Sequence, residues 1–197
     1  MSLIKIIIGS TRPQRFGPQV AGWLNELAQE LAGSAAEPVR FEILDLADLN
    51  LPLLDEPVPP AMNQYQNEHT KKLSSIVAEA DGYLIVTPEY NNSIGGALKN
   101  ALDYVFYEWN YKPVAYASYG SAAGGSRAVG HLRDVAGEMK MFDIREVVVI
   151  SNYWNQLDAN GKFVPSEDQI GAAKAMIEQL IFWTQEMKAP RAKLAAK

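Results

Sequence analysis

The chain has 197 residues, of which 48% are hydrophobic and 21% are charged, with a net charge of -5 and no cysteine. This composition is typical of a globular protein, and the length suffices for one domain with a full core. The absence of cysteine excludes disulfides, thiolate metal sites and cysteine nucleophiles, and the acidic balance provides no general basic field for nucleic acid.

Predicted strands and helices alternate through the first half of the chain. Ile4–Ile8 is β-branched and predicts a strand, and a helix follows because apolar residues recur at helical spacing at Val20, Trp23, Leu24, Leu27 and Leu31. Phe41–Leu46 predicts the second strand. A proline-rich surface connection over residues 48–62 leads to a helix over residues 66–80. The apolar run over residues 83–86 predicts a buried third strand.

The same alternation continues in the second half. Residues 113–118 and 146–150 predict the fourth and fifth strands, and a helix between them ends at about Met141. Ser166 and Gln169 have the spacing of a capping box at the start of the last helix.

Five strands that alternate with five helices predict one α/β domain with a doubly wound parallel sheet. We expect the flavodoxin-like strand order 2-1-3-4-5, with helices on both faces. The domain is predicted to cover residues 1–187, and residues 188–197 form a basic, frayed tail.

Three polar loops follow the first, third and fourth strands, which are neighbours in this order. Ligands of open α/β sheets bind at this carboxyl edge, so the three loops predict a site. In the first loop, Ser10, Thr11, Arg12 and Arg15 precede a helix N-terminus, which is suited to a phosphate. The alternative is a simple turn with solvated arginines.

The second loop carries Glu89, Tyr90, Asn91 and Ser93, and Ser93 is predicted to cap a helix that ends at about Glu108. It is also consistent with an ordinary turn.

Glycines distinguish the third loop. Gly120, Gly124 and Gly125 allow the backbone to approach a flat ligand closely, although a flexible surface loop has the same composition.

These motifs together resemble the NAD(P)H-dependent FMN reductase family, flavodoxin-like proteins that include quinone, chromate and azo-dye reductases. The similar segments are Gly9-Ser10-Thr11-Arg12, Pro88-Glu89-Tyr90-Asn91 with the segment from Ser93 to Asp103, and Gly124-Gly125. The first motif is weak alone, and the second is the most specific. The resemblance spans about residues 4 to 150.

The resemblance implies which residues bind FMN. Its phosphate would be held by Ser10, Arg12 and the backbone around Arg15, Phe16 and Gly17. Its isoalloxazine ring would be lined, mostly through backbone groups, by Pro88, Glu89, Tyr90 and Asn91, in the loop that ends with Ser93. Its pyrimidine side would be held by Ser118, Tyr119, Gly120 and Gly124.

The implied activity is that of an FMN-dependent NAD(P)H oxidoreductase, with NADPH or NADH as co-substrate. Electrons would pass to quinones or similar small acceptors by a ping-pong mechanism. The flavin carries the hydride chemistry, so no residue is predicted to be catalytic. The alternatives are a non-enzymatic FMN electron carrier and a flavin redox sensor.

The family forms homodimers and, in some members, tetramers. The segment after the second loop has more apolar residues than one buried stripe requires, among them Leu98, Leu102, Tyr104, Val105, Phe106, Tyr107, Trp109 and Tyr111. We therefore expect a homodimer.

The remaining expectations concern location and metals. No charged leader precedes the first strand, and no apolar run reaches the ~20 residues of a membrane span. We expect a soluble cytoplasmic protein without a membrane or nucleic acid partner. His69 and His131 lack metal-ligand spacing, so no metal site is predicted.

Overall fold

A computed structural model describes residues 1–195 of the chain, which form a five-stranded parallel sheet. The strands are β1 (Ser2–Ile8), β2 (Val39–Asp45), β3 (Gly82–Pro88), β4 (Pro113–Gly120) and β5 (Phe142–Ser151). Their order is β2-β1-β3-β4-β5 and every pair is parallel, which confirms the predicted flavodoxin-like sheet. Every residue of β1 and β3 is buried, as expected of central strands that are covered on both faces.

Helices cover both faces of the sheet. They are α1 (Gly17–Ala32), α2 (Leu46–Leu49), α3 (Glu68–Glu79), α4 (Gly96–Asp103), α5 (Ser126–Glu138), α6 (Glu167–Glu186) and α7 (Lys188–Ala195). One hydrophobic core contains side chains of α1 and α6, and the other contains side chains of α3, α4 and α5. The predicted capping box is present at the start of α6. None of the helices in the described part of the chain is long and apolar enough to cross a membrane.

The central helix differs from the prediction at both ends. It begins after Gly95 rather than at a Ser93 cap, and it ends at Asp103 rather than at about Glu108. Beyond Asp103 the chain turns, because tertiary contacts replace the helical pattern. The Tyr104 hydroxyl donates to the carbonyl of Pro52 at 3.1 Å, and Trp109 packs against the ring of Tyr83.

The segment predicted as a frayed tail instead contains α7, while residues 196–197 lie outside the described part. Asp81, which directly precedes β3, fastens this helix to the domain. Its carboxylate forms salt bridges with Arg191 and Lys188 and accepts a hydrogen bond from the backbone N–H of Leu3. Burial alone would raise the pKa of Asp81, but the Leu3 N–H and the two cations lower it below its ordinary value. The carboxylate therefore stabilises the native state.

Asp81→Asn is expected to lower the free energy of unfolding at pH 7 by about 1 to 3 kcal/mol, because Arg191 and Lys188 lose their counter-ion. The native pKa lies below the unfolded one. The stabilisation is therefore complete above the unfolded pKa and disappears as the pH falls through the native pKa. Urea denaturation of both proteins at decreasing pH measures this effect.

The matched control is Asp134→Asn, an exposed carboxylate on α5 with no salt bridge in the described part of the chain. It should leave stability unchanged. A difference between wild type and Asp81→Asn that stayed constant down to about pH 3 would contradict the assignment.

Candidate functional site

Three loops meet at the carboxyl edge of the sheet, where β1, β3 and β4 end. The backbone N–H of Gly9 donates to the carbonyl of Val86 at 2.8 Å, and the N–H of Glu89 donates to the carbonyl of Tyr119 at 3.0 Å. The buried Tyr119 hydroxyl donates to Ser10 Oγ at 3.1 Å. The fold therefore brings together all three segments that the sequence analysis selected.

The first loop is rich in free hydrogen-bond donors. Within the described residues, the backbone N–H groups of Ser10, Thr11 and Arg12 donate no hydrogen bond. The N-terminus of α1 follows, with no side-chain cap and no acidic residue in its first turn. Arg12 is exposed, and the neighbouring Tyr90 hydroxyl raises its pKa. Free amides, a helix N-terminus and a guanidinium together form an environment that favours an anion.

Arg15 and Phe16 have other partners. The guanidinium of Arg15 forms a salt bridge with Asp45 at the end of β2, and both side chains are largely buried. Phe16 is buried, stacks on Tyr153 at 4.5 Å between ring centroids, and meets Tyr119 edge to face. Their side chains therefore position the first loop.

Tight packing explains why glycine follows Phe16. A Cβ atom at Gly17 would lie 2.8 Å from Ser10 Oγ and 3.1 Å from the Tyr119 hydroxyl oxygen. Burial raises the pKa of Tyr119 to about 12, so this phenol stays protonated and continues to donate to Ser10 at neutral pH.

The second loop is a tight turn over Tyr90–Ser93. Tyr90 and Ser93 exchange two backbone hydrogen bonds, of 2.9 and 3.0 Å. Asn91 and Asn92 between them have φ angles of 51° and 66°, a conformation that Asn tolerates better than most residues. Ser93 Oγ lies 2.8 Å from Nδ1 of His131 on α5, so its hydroxyl is used there and does not cap α4.

Glu89 links the second loop to the third. Its carboxylate accepts a hydrogen bond from the backbone N–H of Arg127 at 3.1 Å and forms a salt bridge with the Arg127 guanidinium at 3.0 Å. The Glu89 carboxylate thus offsets the positive charge at the first turn of α5 and does not face solvent. The Glu89 carboxylate is therefore already used within the chain, and so is its backbone N–H, which donates to the carbonyl of Tyr119.

The third loop folds closely over the end of β4. Gly124 and Gly125 have φ angles of 59° and 93°, and the Ser118 hydroxyl donates to the carbonyl of Gly124 at 2.9 Å. A Cβ atom at Gly125 would lie 2.5 Å from the Cβ of Ser118, and one at Gly120 would lie 3.3 Å from the nitrogen of Gly125. Glycine is therefore required here for conformation and for close approach.

Several residues around the site escaped the sequence analysis. Asp45 holds Arg15, and Tyr153 stacks on Phe16, but neither carries a local motif. A cavity of about 300 Å³ opens beside Thr11, between α2 and α4, where Asn50 and Asn100 supply polar groups. The α2 helix has only four residues and gave no periodic signal. Within residues 1–195, no group of three His, Cys, Asp or Glu side chains is arranged to hold a metal ion.

A loop set of this kind at the switch point of a flavodoxin-like sheet defines a nucleotide- or flavin-binding class of protein. The model of one such family, described as NADPH-dependent FMN reductase, matches residues 2–155. The chain belongs to this family, a family of oxidoreductases. The match confirms the predicted family and enzyme class. It also confirms the predicted cofactors, which are FMN with NADPH or NADH.

Individual relatives support the assignment. NAD(P)H-dependent FMN reductase ntnL from Nectria sp is 44% identical over 138 residues, 68% of this chain and 67% of that protein. A 2-hydroxy-1,4-benzoquinone reductase from Burkholderia sp is 30% identical over 196 residues, 94% of this chain and 97% of the relative.

A solved structure supports the fold. FerB, a flavoenzyme NAD(P)H:(acceptor) oxidoreductase from Paracoccus denitrificans, has a TM-score of 0.73 at 20% identity, covering 95% of this chain and 99% of that chain. At this identity the likeness shows the fold alone.

Gly125→Ala tests the geometry of the third loop. We expect the free energy of unfolding to fall by about 2 to 4 kcal/mol, since the added methyl meets Ser118 and the backbone is left-handed. Gly130→Ala is the control, because a Cβ atom at this exposed position on α5 has no neighbour within 4 Å. It should raise stability by about 0.5 to 1 kcal/mol. Thermal denaturation compares the two, and equal shifts would show that the third loop is not constrained.

Proposed function

We propose that the chain is an FMN-dependent NAD(P)H oxidoreductase that reduces quinones or similar small acceptors by a ping-pong mechanism. The observation that carries the proposal is the convergence of three loops, with unused backbone donors, at one edge of the sheet. The quinone reductase among the relatives supports the class of acceptor.

The residues of the first loop fit the phosphate of FMN. The unused N–H groups of Ser10, Thr11 and Arg12 require acceptors, and a phosphate supplies several. The Arg12 guanidinium is exposed and adds positive charge, and it forms no salt bridge with a carboxylate in the described part of the chain. We infer that Ser10, Arg12 and the backbone up to Gly17 hold this group.

The second and third loops fit a flat ring. In this proposal Pro88, Glu89, Tyr90 and Asn91 line the ring mostly through backbone groups, and Ser93 closes the turn. Ser118, Tyr119, Gly120 and Gly124 hold its pyrimidine side, where the buried Ser118 and Tyr119 support the glycine backbone. The backbone N–H groups of Ala122 and Ala123 donate no hydrogen bond within residues 1–195. We propose that such amides stabilise negative charge on the pyrimidine side of the reduced ring.

The bound FMN would supply the hydride chemistry, at N5 of its ring. In this proposal the chain's own residues bind, orient and exclude water, and none needs to act as an acid or base on the flavin. Glu89 and Arg127 hold the second and third loops together, and Tyr119 holds the first loop to β4. The rigidity of these links keeps the donors in position when either substrate enters.

The visible absorption spectrum of the purified protein with FMN, before and after anaerobic NADPH, tests the proposal. We expect flavin bands that NADPH bleaches within seconds and that a benzoquinone restores. A flavin spectrum that NADPH leaves unchanged would instead indicate an electron carrier or a redox sensor. A protein that binds no FMN would overturn the assignment of all three loops.

Arg12→Ala tests the phosphate assignment within that experiment. We expect the Kd for FMN to rise about tenfold or more, because a charge-assisted hydrogen bond to the phosphate is lost. The affinity for riboflavin, which lacks the phosphate, should not change. Arg40→Ala on β2 is the control, since this exposed arginine pairs only with Glu42 in the described chain. Equal loss of FMN and riboflavin affinity would show that Arg12 does not contact the phosphate.

We also propose that the protein is a homodimer. The predicted reason was wrong in detail, because Leu98, Leu102, Tyr104, Val105 and Trp109 are buried in the chain's own core. The support is instead the exposed apolar side chains of Leu53 and Met62 in the connection between α2 and α3. Sedimentation at micromolar concentration, with Met62→Asp as the disruptive variant, measures the state. A tetramer and a cytoplasmic location remain predictions of the sequence analysis.

A further inference from the structure

A cavity of about 710 Å³ lies at the opposite edge of the sheet, where the strands begin. Its floor is Lys112, which directly precedes β4, and Ala78, near the end of α3. One wall is α7, through Lys188, Arg191 and its neighbours, which Asp81 holds at the start of β3. The cavity is therefore separated from the candidate flavin site by the length of the strands, and nothing in it depends on the proposed function.

The floor of this cavity contains a buried lysine with no carboxylate beside it. Lys112 is only 6% exposed, and its ammonium donates to the carbonyls of Val77 and Ala78 and to the hydroxyl of Tyr83. No carboxylate lies within salt-bridge distance of it in residues 1–195. Buried charges are normally paired, because an unpaired one is costly. Burial accordingly lowers the pKa of Lys112 to about 7, and an anion in the cavity would favour its charged form.

Other cations add to the positive potential. Lys140 projects over the ring of Phe106 and that of Tyr111, at 5.9 and 6.0 Å from the centroids, and forms no salt bridge within the described residues. Lys188 and Arg191 share the single carboxylate of Asp81. The carboxylate of Glu108, which also lines the cavity, already accepts hydrogen bonds from two hydroxyl groups. Positive charge is therefore in excess.

The remaining lining is mostly apolar and aromatic. The rings of Tyr107 and Tyr111 and the side chains of Ala192 and Leu194 face the space. Tyr111 has a φ angle of 60°, and its N–H donates to the carbonyl of Lys140 at 2.7 Å, so the main chains of these two residues are held side by side. The volume lies within the ~300 to 1,000 Å³ of small-molecule sites, which combine apolar walls with a few polar groups.

We propose that this cavity binds a small aromatic anion. The acidic group of the ligand pairs with Lys140 and lies above the side chain of Lys112. The flat part of the ligand packs between the tyrosine rings and α7. The chemistry that the cavity recognises is a carboxylate or sulfonate on one or two fused rings. Because α7 forms a wall, binding also stabilises the docking of α7 on the domain.

Isothermal titration of the FMN-saturated protein with 2-naphthoate tests the proposal, and 2-naphthamide is the neutral probe of the same shape. We expect one naphthoate to bind per chain and naphthamide to bind at least about fivefold more weakly. Two variants act on the cavity. Lys140→Met should weaken naphthoate binding about fivefold to tenfold, and Leu194→Glu should weaken it at least as much, because its carboxylate occupies the same field.

Lys174→Met is the matched control, since Lys174 is an exposed lysine on α6, away from the cavity. It should bind naphthoate as the wild type does. Because Lys140 and Leu194 are exposed, both substitutions should leave the fold intact, and a comparison of melting temperatures verifies this. Absence of binding up to about 1 mM naphthoate, equal affinity for naphthamide, or unchanged affinity in both cavity variants would overturn the proposal.

Discussion

Parallel pairing of β1 with β3 is the constraint on which the candidate site depends. Ile8 pairs with Val86 in the last register position of this ladder, and β3 in turn pairs with β4 up to Pro88 and Tyr119. The three loops are far apart in sequence, but each begins at the end of one of three neighbouring strands. Right-handed crossovers require each following helix to leave over a face of the sheet. The loops between strand and helix are therefore left free at the carboxyl edge.

Interactions between side chains hold the three loops in place without the help of a bound group. The salt bridge between Glu89 and Arg127 joins the second and third loops, and the hydrogen bond between Tyr119 and Ser10 joins the end of β4 to the first loop. The backbone donors of the first loop remain unused. Side chains thus supply rigidity, and the polar groups of the main chain remain available to the ligand.

The two ends of the sheet differ in how they manage charge. At the carboxyl edge, the buried charged side chains are paired, Arg15 with Asp45 and Glu89 with Arg127, and the helix N-termini and free amides are left for an anion. At the amino edge, Asp81 sits between Arg191 and Lys188, whereas Lys112 is buried among neutral acceptors. Burial lowers the pKa of Lys112 to about 7, because keeping the ammonium charged there costs free energy, and the fold either tolerates that cost or uses it for recognition. The aromatic lining around Lys140 favours recognition.

Local patterning by itself determined the sheet and the loops of this protein. Apolar runs such as residues 83–86 predict the strands, and helical spacing predicts the helices. The strand order then follows from the alternation of these elements and from the handedness of the crossovers. Tertiary structure alone decided the partners: Arg15 binds Asp45, Ser93 binds His131, and the chain turns after Asp103 although its apolar residues continue. Periodicity reports which face is buried, but it carries no information on which distant polar group lies opposite. That choice depends on how separate elements pack.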